Sequence, residues 1–310
     1  MIAIQDIAFV RHQAPDLDRM ESFLIDFGLT RSARTDDALY MRAGASTHHV
    51  HVTERADQTG TPGFGLRAKS AQDLLQLASE LGARVEDNPE PGGGQRVRFT
   101  DPAGFQVDVI HGQQLLEPLP SRPALEFNTR AGMRRLGRPI RLAVAPAHVQ
   151  RLGHALLLVP NVAQWASFYK ELLGFKESDV YYGGVPDNTV AAFLHCGLGQ
   201  SWTDHHTLAA AMAQDGRARF DHSAFEVLDL DDLIQGGEHL VQRGHKRSWG
   251  IGRHIQGSQL FDYWRDPFGN KIEHWTDGDQ VNDDTPVGVT AMTPGELSQW
   301  APPLTPEFFE

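Results

Sequence analysis

The chain has 310 residues, of which 40% are hydrophobic and 22% are charged, the size and composition of an ordinary globular protein with two domains. Its formal net charge of -12 argues against nucleic acid or an anionic membrane as the main partner, because both repel an acidic surface. The single cysteine, Cys196, excludes an internal disulfide and a cysteine-based zinc site.

The N-terminal segment, residues 1–12, contains the first predicted strand. It has no basic region followed by a long apolar run, so we expect no signal peptide. No stretch of the sequence approaches the roughly 18 consecutive apolar residues that a membrane span needs. We therefore expect a cytoplasmic enzyme that acts on a small molecule.

The strand and helix that start at Ile7 recur in the second half of the chain, starting at His154. Each copy has an apolar strand, a turn and an amphipathic helix that ends at a glycine, Gly28 in the first and Gly174 in the second. A gapless alignment on these glycines pairs His154 with Ala8. The chain therefore contains an internal repeat.

A second repeated unit follows each of these copies. A strand and a helix start at Leu66 and again at Phe225, and each helix is followed by a glycine. Both halves then end in two strands around an Asp-Pro-x-Gly turn, within residues 100–109 and 265–274. Each half of the chain thus contains two units of strand, helix and strands.

A Pro- and Arg-rich stretch separates the two halves. It contains the sequences PLPSRP and GRP, which favour an extended chain. We predict an N-terminal domain at residues 1–115, a linker at 116–150 and a C-terminal domain at 151–284. A Pro-rich tail with aromatic residues, at 285–310, is expected to pack across the body of the protein.

Histidine is the unusual residue type, with 15 copies, and it is the commonest metal ligand in proteins. In the second half, His154, His222 and Glu273 each lie on a predicted strand. Two histidines and one carboxylate form a metal site that leaves positions on iron(II) for substrate and dioxygen. These three residues are the predicted metal ligands.

The repeat tests whether the fold itself needs these ligands. In the gapless alignments, the N-terminal counterparts of the three ligands are Ala8, Gly63 and Asp108. Because alanine and glycine side chains cannot bind a metal, the scaffold does not require histidine at those two places. The comparison favours a chemical role for the two histidines of the second half.

A competing histidine cluster, His48, His49 and His51, lies in the first half. On a strand, His49 and His51 would share one face and could bind a metal together. No carboxylate at a matching spacing supports such a site. We therefore predict that these histidines lie on a surface strand.

Two further motifs lie between the predicted ligands. One is His-His-Thr-Leu-Ala, beginning at His205, and the other is Gly-Arg-His254, followed nine residues later by Tyr263. If the Asp-Pro-x-Gly turn closes symmetrically about Phe268, Tyr263 lies opposite Glu273 on the neighbouring strand and points into the metal pocket.

This set of residues resembles the type I extradiol ring-cleavage dioxygenases of the vicinal oxygen chelate superfamily, which also contains glyoxalases and bleomycin resistance proteins. The resemblance covers residues from about 4 to 280. It implies an α+β fold with two domains, each made of two βαβββ modules that form curved mixed sheets. The residues that carry it, in chain order, are His154, His206, His222, His254, Tyr263 and Glu273.

The resemblance also implies a reaction, the ring opening of a catechol or substituted catechol with incorporation of both atoms of dioxygen. Iron(II) would be the cofactor, although manganese(II) fits the same ligands. His206 would act as general base and then acid, while His254 and Tyr263 would hydrogen-bond the substrate oxygen and the intermediate. The family usually forms homo-oligomers, so we expect a dimer or a tetramer.

Three residues are predicted to contact the substrate. Leu156 lies two residues after His154 and therefore shares its strand face, and Trp202 extends the predicted lining. His205 is the third predicted contact, with two alternatives left open, that it orients its neighbour or that it faces solvent. An aliphatic lining favours an alkyl- or aryl-catechol over one with a charged substituent.

Three alternatives share the fold. A glyoxalase-type isomerase would use metal ligands contributed differently, generally with more glutamate, and would not need His206, His254 and Tyr263. A ligand-sequestering binding protein would not need the complete set of metal ligands. A 4-hydroxyphenylpyruvate dioxygenase shares the His-His-Glu site but lacks both further motifs.

Overall fold

The computed structural model describes residues 2–293 and 295–309 and contains two β-sheet domains. The N-terminal domain has an eight-stranded mixed sheet in the order β2-β3-β4-β1-β5-β8-β7-β6, with two helices. Its elements are β1 Ile4–Ala14, α1 Leu17–Phe27, β2 Thr30–Arg34, β3 Ala38–Arg42, β4 His51–Arg55, β5 Gly60–Ala68, α2 Ala71–Leu81, β6 Glu86–Asp87, β7 Gln95–Thr100 and β8 Gln106–His111.

The C-terminal domain repeats this arrangement in a nine-stranded sheet with the order β15-β16-β17-β14-β9-β13-β11-β10-β19. Two short strands, β12 and β18, pair separately. Its elements are β9 Val149–Val159, α3 Val162–Leu173, β10 Lys176–Tyr182, β11 Thr189–His195, β12 Thr203–Asp204, β13 Leu208–Met212, β14 Arg219–Val227, α4 Leu230–Gln242, β15 Lys246–Arg253, β16 Leu260–Arg265, β17 Lys271–Thr276, β18 Gln280–Val281 and β19 Gly288–Ala291.

Strand pairing is the same in the two domains. In the first, β1 pairs antiparallel with β5, and each of these strands has a parallel partner, β4 and β8. In the second, β9 and β14 form the antiparallel pair, and β13 and β17 are their parallel partners. Each domain therefore consists of two βαβββ modules joined along their first strands, which confirms the predicted fold.

Helices α1 and α3 end at the glycines that the sequence predicts, and both begin at residues suited to capping. Asp16 and Asn161 cap the N-termini of α1 and α3, where their side chains accept backbone N–H groups that would otherwise lack partners. Gly28 and Gly174 end these helices at φ angles of 111° and 68°, a left-handed conformation that glycine adopts without strain.

The strand pairing corrects one predicted counterpart of the metal ligands. His154 lies opposite Ala224 in the second domain, and the equivalent residue of the first domain is Phe9, opposite Gly65. The gapless alignment pointed to Ala8 and was wrong by one residue, because α3 has 12 residues and α1 has 11. Phenylalanine cannot bind a metal either, so the inference drawn from the repeat stands.

The chain between β8 and β9, residues 112–148, contains one isolated β-bridge and neither a helix nor a longer strand. The tail contributes β19, which pairs parallel with β10 at the edge of the sheet. Beyond it, the ring of Phe308 packs against Trp249 and Tyr263. Among the described helices, none has the length and apolar character needed to cross a membrane.

A single hydrophobic core connects the two domains. At their contact, Asp101 of the first domain accepts hydrogen bonds from Trp165 and Tyr169 of α3, at 3.2 and 3.0 Å. His274 stacks on Phe27 and is hydrogen-bonded to its carbonyl oxygen at 2.7 Å. His274 thus faces away from its neighbour Glu273, as the alternation of a strand predicts.

Candidate active site

The predicted ligands converge from three adjacent strands, β9, β14 and β17. Ala224 of β14 lies between His154 of β9 and Glu273 of β17 in the same row of the sheet. His222 precedes Ala224 by two residues and points to the same face. Oε2 of Glu273 consequently lies 3.4 Å from Nε2 of His154 and 3.3 Å from Nε2 of His222.

The atoms at this point fit a metal ion. The three side chains are buried, and one ligand atom from each lies within 4.8 Å of the others. Both carboxylate oxygens of Glu273 and Nε2 of His222 lack hydrogen-bond partners among the described residues. Burial without such partners is costly, whereas coordination would satisfy these atoms. Two imidazole nitrogens and one carboxylate suit a divalent transition metal.

The charges around Glu273 keep its carboxyl group ionised, the form that binds a metal. Burial acts to raise the pKa of Glu273, but His154 and His222 outweigh burial and hold that pKa well below its usual range. Burial has the opposite effect on His154 and lowers its pKa, which favours the neutral imidazole that a metal requires.

Asp221 is hydrogen-bonded to one of the predicted ligands. Its Oδ2 atom lies 2.6 Å from Nδ1 of His222, and Nζ of Lys271 donates to its Oδ1 at 3.1 Å. Because a carboxylate accepts hydrogen bonds, Nδ1 of His222 carries the hydrogen and Nε2 presents its lone pair to the metal site. Such carboxylate–histidine pairs fix the orientation of a metal ligand.

Tyr263 lies directly opposite Glu273 in the antiparallel pair of β16 and β17, which confirms the predicted register. The Tyr263 hydroxyl is 2.9 Å from Nε2 of His254, whose Nδ1 lies 2.7 Å from the carbonyl oxygen of Leu297. Since a carbonyl only accepts, His254 donates from Nδ1 and accepts the tyrosine hydrogen at Nε2. Burial raises the pKa of Tyr263 well above its usual value, so its hydroxyl keeps its proton.

His206 completes the group on the opposite side of the ligands. Its ring centroid lies 4.1 Å from that of His154, and Phe193 packs edge-on against it at 5.1 Å. Nδ1 of His206 is 3.1 Å from Nδ1 of His205. Within the described residues no hydrogen bond reaches Nε2, and the ring lines the central cavity.

That cavity measures about 800 Å³ and lies in front of the ligands. Its walls are mostly apolar, and His154, His206, His222, His254 and Tyr263 are among the polar residues that line it. This combination is typical of a site that binds an apolar small molecule in a defined orientation. The apolar wall includes Leu156, Leu158, Phe193, Met212, Met292 and Phe308.

Two predicted substrate contacts are corrected by the structure. Trp202 is 67% exposed and does not line the cavity, because it precedes β12 on the outside of the sheet. His205 is buried, but it lies behind His206 rather than in the cavity wall. Its Nε2 atom is 2.6 Å from Oδ2 of Asp179. Leu156 does line the cavity.

The prediction of a surface strand for His48, His49 and His51 is wrong, because all three side chains are buried. Strand pairing gives the physical reason, since β4 lies inside the sheet between β1 and β3. By the same pairing, His48 and His49 are the counterparts of the His205–His206 pair. Their Nδ1 atoms are likewise 3.1 Å apart.

The N-terminal counterpart of the metal site is closed by arginines. Asp108, equivalent to Glu273, accepts two hydrogen bonds from Arg98, at 2.6 and 2.8 Å, and one from Arg11, at 3.1 Å. Phe9 and Gly63 stand at the positions of the two histidine ligands. A Cβ atom at Gly63 would lie 1.8 Å from the carbonyl oxygen of Gln106 in β8, so that position has no room for a side chain.

Sequence reasoning missed three groups around the site. Asp221 could have been noticed, because it directly precedes a predicted ligand. Asp179 carried no such signal, since it lies 26 residues before the histidine that it contacts. Phe308, from the tail, reaches the cavity only through the folding of the whole C-terminal segment. It packs against Lys271, whose Nζ atom lies 4.0 Å from the centre of its ring.

Comparison with known proteins agrees with this fold and site. A model of the glyoxalase/bleomycin resistance protein/dioxygenase superfamily matches residues 151–274, the segment that contains all three ligands. The fold and the family model together place the protein in this superfamily. Metapyrocatechase 2 of Cupriavidus necator is 31% identical, and the alignment covers 99% of this chain and 92% of that relative. The chain belongs to the extradiol ring-cleavage dioxygenases of the superfamily.

Two further matches differ in their metals. An iron-dependent extradiol dioxygenase of Rhodococcus jostii (strain RHA1) is 24% identical, over 92% of this chain and 93% of the relative. The solved structure of a Mn(II)-bound glyoxalase from Novosphingobium aromaticivorans superposes with a TM-score of 0.81 and 25% identity, covering 99% of this chain and 94% of that one. The superfamily fold thus occurs with both iron and manganese among these matches.

Proposed function

We propose that the protein opens the ring of an apolar-substituted catechol beside its two hydroxyl groups and incorporates both atoms of dioxygen. The observation that carries this proposal is the buried set of His154, His222 and Glu273, whose two histidines line a mostly apolar cavity. His206 stands on one side of that set, and the hydrogen-bonded pair of His254 and Tyr263 stands on the other.

We propose iron(II) as the metal, held by His154, His222 and Glu273, although manganese(II) suits the same atoms. When bound, such an ion supplies a common centre that activates the two catechol oxygens and brings dioxygen next to them. The iron-dependent relative supports iron, and the manganese-bound glyoxalase keeps manganese as the alternative.

His206 is the proposed acid–base residue. Its imidazole lines the cavity beside the ligands, with Nε2 not engaged by any other described residue. It would accept a proton from a catechol hydroxyl at Nε2 and later return that proton to the product. Burial and the neighbouring histidines lower the pKa of His206, so its imidazole is neutral and its Nε2 can take a proton.

His254 and Tyr263 are proposed to bind the other side of the substrate. Tyr263 donates its hydrogen to His254, so the lone pairs of its hydroxyl oxygen can accept the hydrogen of a catechol hydroxyl. The backbone bond from His254 to Leu297 holds this pair in place. The pair orients the ring over the metal ligands.

The cavity supports an alkyl or aryl substituent. Its apolar walls offer contact to hydrocarbon, and its two long cationic side chains are already paired, Arg219 with Asp215 and Lys271 with Asp221. A carboxylate on the substrate would therefore find no free arginine or lysine among the described wall residues. A cytoplasmic location and assembly into a dimer or tetramer stay predictions.

One assay separates the candidate functions. The protein is loaded anaerobically with iron(II), mixed with catechol, 3-methylcatechol, a phenyl-substituted catechol or a carboxymethyl-substituted catechol, and exposed to air. We expect oxygen uptake with a yellow ring-opened product, fastest with the apolar substituents. Parallel samples receive the methylglyoxal–glutathione adduct. Turnover of that adduct without oxygen uptake on any catechol would replace the dioxygenase with a glyoxalase-type isomerase.

A further inference from the structure

We propose that Asp179 and His205 are positioning residues that hold His206 in one tautomer, with its hydrogen on Nδ1 and its free lone pair on Nε2. The inference rests on the proposed function only in giving His206 a role in turnover. The tautomer itself is a property of the folded chain and can be measured without substrate.

The three side chains form a continuous row of hydrogen bonds. Oδ2 of Asp179 lies 2.6 Å from Nε2 of His205, and Nδ1 of His205 lies 3.1 Å from Nδ1 of His206. The two histidines are buried, and the side chain of Asp179 is 20% exposed. The row therefore runs from the edge of the domain to the cavity.

Only one arrangement of hydrogens satisfies this row when both imidazoles are neutral. A carboxylate accepts hydrogen bonds, so Nε2 of His205 must carry the hydrogen that points to Asp179. A neutral imidazole has a single N–H group, which leaves Nδ1 of His205 as an acceptor. The contact between the two rings then requires His206 to donate from Nδ1. Its Nε2 atom is left with a lone pair that can take the catechol proton.

Without the carboxylate, the opposite arrangement becomes equally acceptable. His205 could then donate from Nδ1 to Nδ1 of His206, and His206 would carry its own hydrogen on Nε2. In that tautomer, the nitrogen in the cavity cannot act as a base. Asp179 also faces the positive charge that His206 gains on accepting a proton, which His205 can share through the same hydrogen bonds.

The N-terminal domain offers a natural comparison. It keeps the paired histidines, His48 and His49, at the same 3.1 Å separation. Strand pairing places Ala33 at the position of Asp179, because Ala33 lies opposite Tyr40 as Asp179 lies opposite Phe193. The carboxylate is therefore present only in the domain that also has the metal ligands. The fold does not need it to pack two histidines.

The tail packs closely around this carboxylate. β19 pairs with β10 so that Gly288 lies beside Asp179. A Cβ atom at Gly288 would come within 1.8 Å of Oδ1 of Asp179. The absence of a side chain at Gly288 leaves room for the carboxylate on the side away from His205.

The test uses Asp179→Asn, with Asp283→Asn as the matched control. Asp283 lies 3.9 Å from another buried histidine of the same domain, His195, which is not part of the row. Two-bond nitrogen–hydrogen couplings of ¹⁵N-labelled imidazole identify the tautomer in the metal-free full chain near neutral pH. The signals of His206 are assigned by their loss in His206→Asn.

We expect the wild type and Asp283→Asn to show His206 with its hydrogen on Nδ1, and Asp179→Asn to show a large fraction with the hydrogen on Nε2. In the iron-loaded enzyme, kcat of Asp179→Asn should fall about 10- to 100-fold, part of the effect of losing a general base, while KM changes little. Asp179→Glu should restore most of kcat.

A wild-type His206 with its hydrogen on Nε2, or an unchanged tautomer in Asp179→Asn, would overturn the inference. A fall in kcat that is equal in Asp179→Asn and Asp283→Asn would do the same. If no catechol is consumed by the wild type, the proposed function fails, and the nitrogen couplings still decide whether Asp179 sets the tautomer.

Discussion

The two domains have the same strand pairing and the same pair of adjacent histidines, yet among the described residues a group suited to a metal is found in the second alone. In the first, Arg11 and Arg98 neutralise Asp108, whereas in the second the equivalent Glu273 faces two imidazoles. Both domains thus bury one carboxylate at the same place in the sheet. In the first domain, two arginine guanidinium groups compensate the charge of the carboxylate. In the second, the carboxylate faces two imidazoles in an arrangement that can hold a metal ion.

This difference shows how the site depends on a few positions of a common scaffold. A buried carboxylate without a compensating charge is strongly unfavourable. The first domain compensates the charge within the chain, through the two arginines. In the second, the carboxylate faces two imidazoles in an arrangement that could hold a metal ion.

The largest effect is expected for Glu273→Gln, with Asp108→Asn as its equivalent in the other domain. Two imidazoles alone should hold iron(II) far more weakly, by more than the roughly 100-fold that loss of an outer-shell partner causes. Anaerobic equilibrium dialysis with iron(II) measures this change. Asp108→Asn should bind iron like the wild type. An equal loss in both variants would contradict the assignment of the metal to the second domain.

The same Asp108→Asn variant should instead lose stability. Arg98 and the buried Arg11 would lose a shared carboxylate, but Arg11 keeps Glu54 and Glu90, so the loss should be about 1.5–3 kcal/mol for the charge-assisted hydrogen bonds. Urea unfolding of the metal-free chain measures the free energy. Asp18→Asn, which removes a surface carboxylate paired with Arg34, should change it by less than about 1 kcal/mol. Similar values for the two variants would mean that the arginine cluster contributes little.

A smaller effect on the metal is expected from Asp221→Asn. The variant weakens the hydrogen bond that orients His222, so iron(II) affinity should fall about 10- to 100-fold while the fold is kept. Asp215→Asn is the control, because Asp215 pairs with Arg219 at the surface near the same strand. Equilibrium dialysis measures the iron(II) affinity of both variants, and circular dichroism checks that both keep the fold. Wild-type affinity in Asp221→Asn would exclude Asp221 as an orienting residue.

The smallest effect concerns histidines of the first domain, which are buried without a metal. Burial lowers the pKa of His12 to about 4, so the unfolded chain binds one more proton than the folded chain between roughly pH 6 and pH 4.5. Stability is lost as the pH falls through that window. His12→Phe should reduce the slope of unfolding free energy against pH by about 1.4 kcal/mol per pH unit. An unchanged slope would show that His12 protonates in the folded protein.

The sequence predicted the fold because the repeat is visible in its glycine-capped helices and Asp-Pro-x-Gly turns. The convergence of His154, His222 and Glu273 followed from strand alternation, and the position of Tyr263 followed from the symmetry of one turn. These features depend on local geometry, which a sequence pattern records directly.

What could not be predicted depends on contacts between distant parts of the chain. The one-residue difference between the helices moved a counterpart from Ala8 to Phe9, which no gapless alignment detects. Trp202 and His205, two of the predicted substrate contacts, do not line the cavity, because the course of the chain before β12 and before β13 decides which side chains reach it. The contact of Asp179 with His205 arises only when β10 and the segment before β13 meet.

The closed position at Gly63 limits what substitution can do in the first domain. A Cβ atom there would lie 1.8 Å from the carbonyl oxygen of Gln106 in β8. A histidine at this position would require the two strands to separate, so a single substitution cannot supply a metal ligand there. The first domain is therefore closed to a second metal site by its backbone as well as by its side chains.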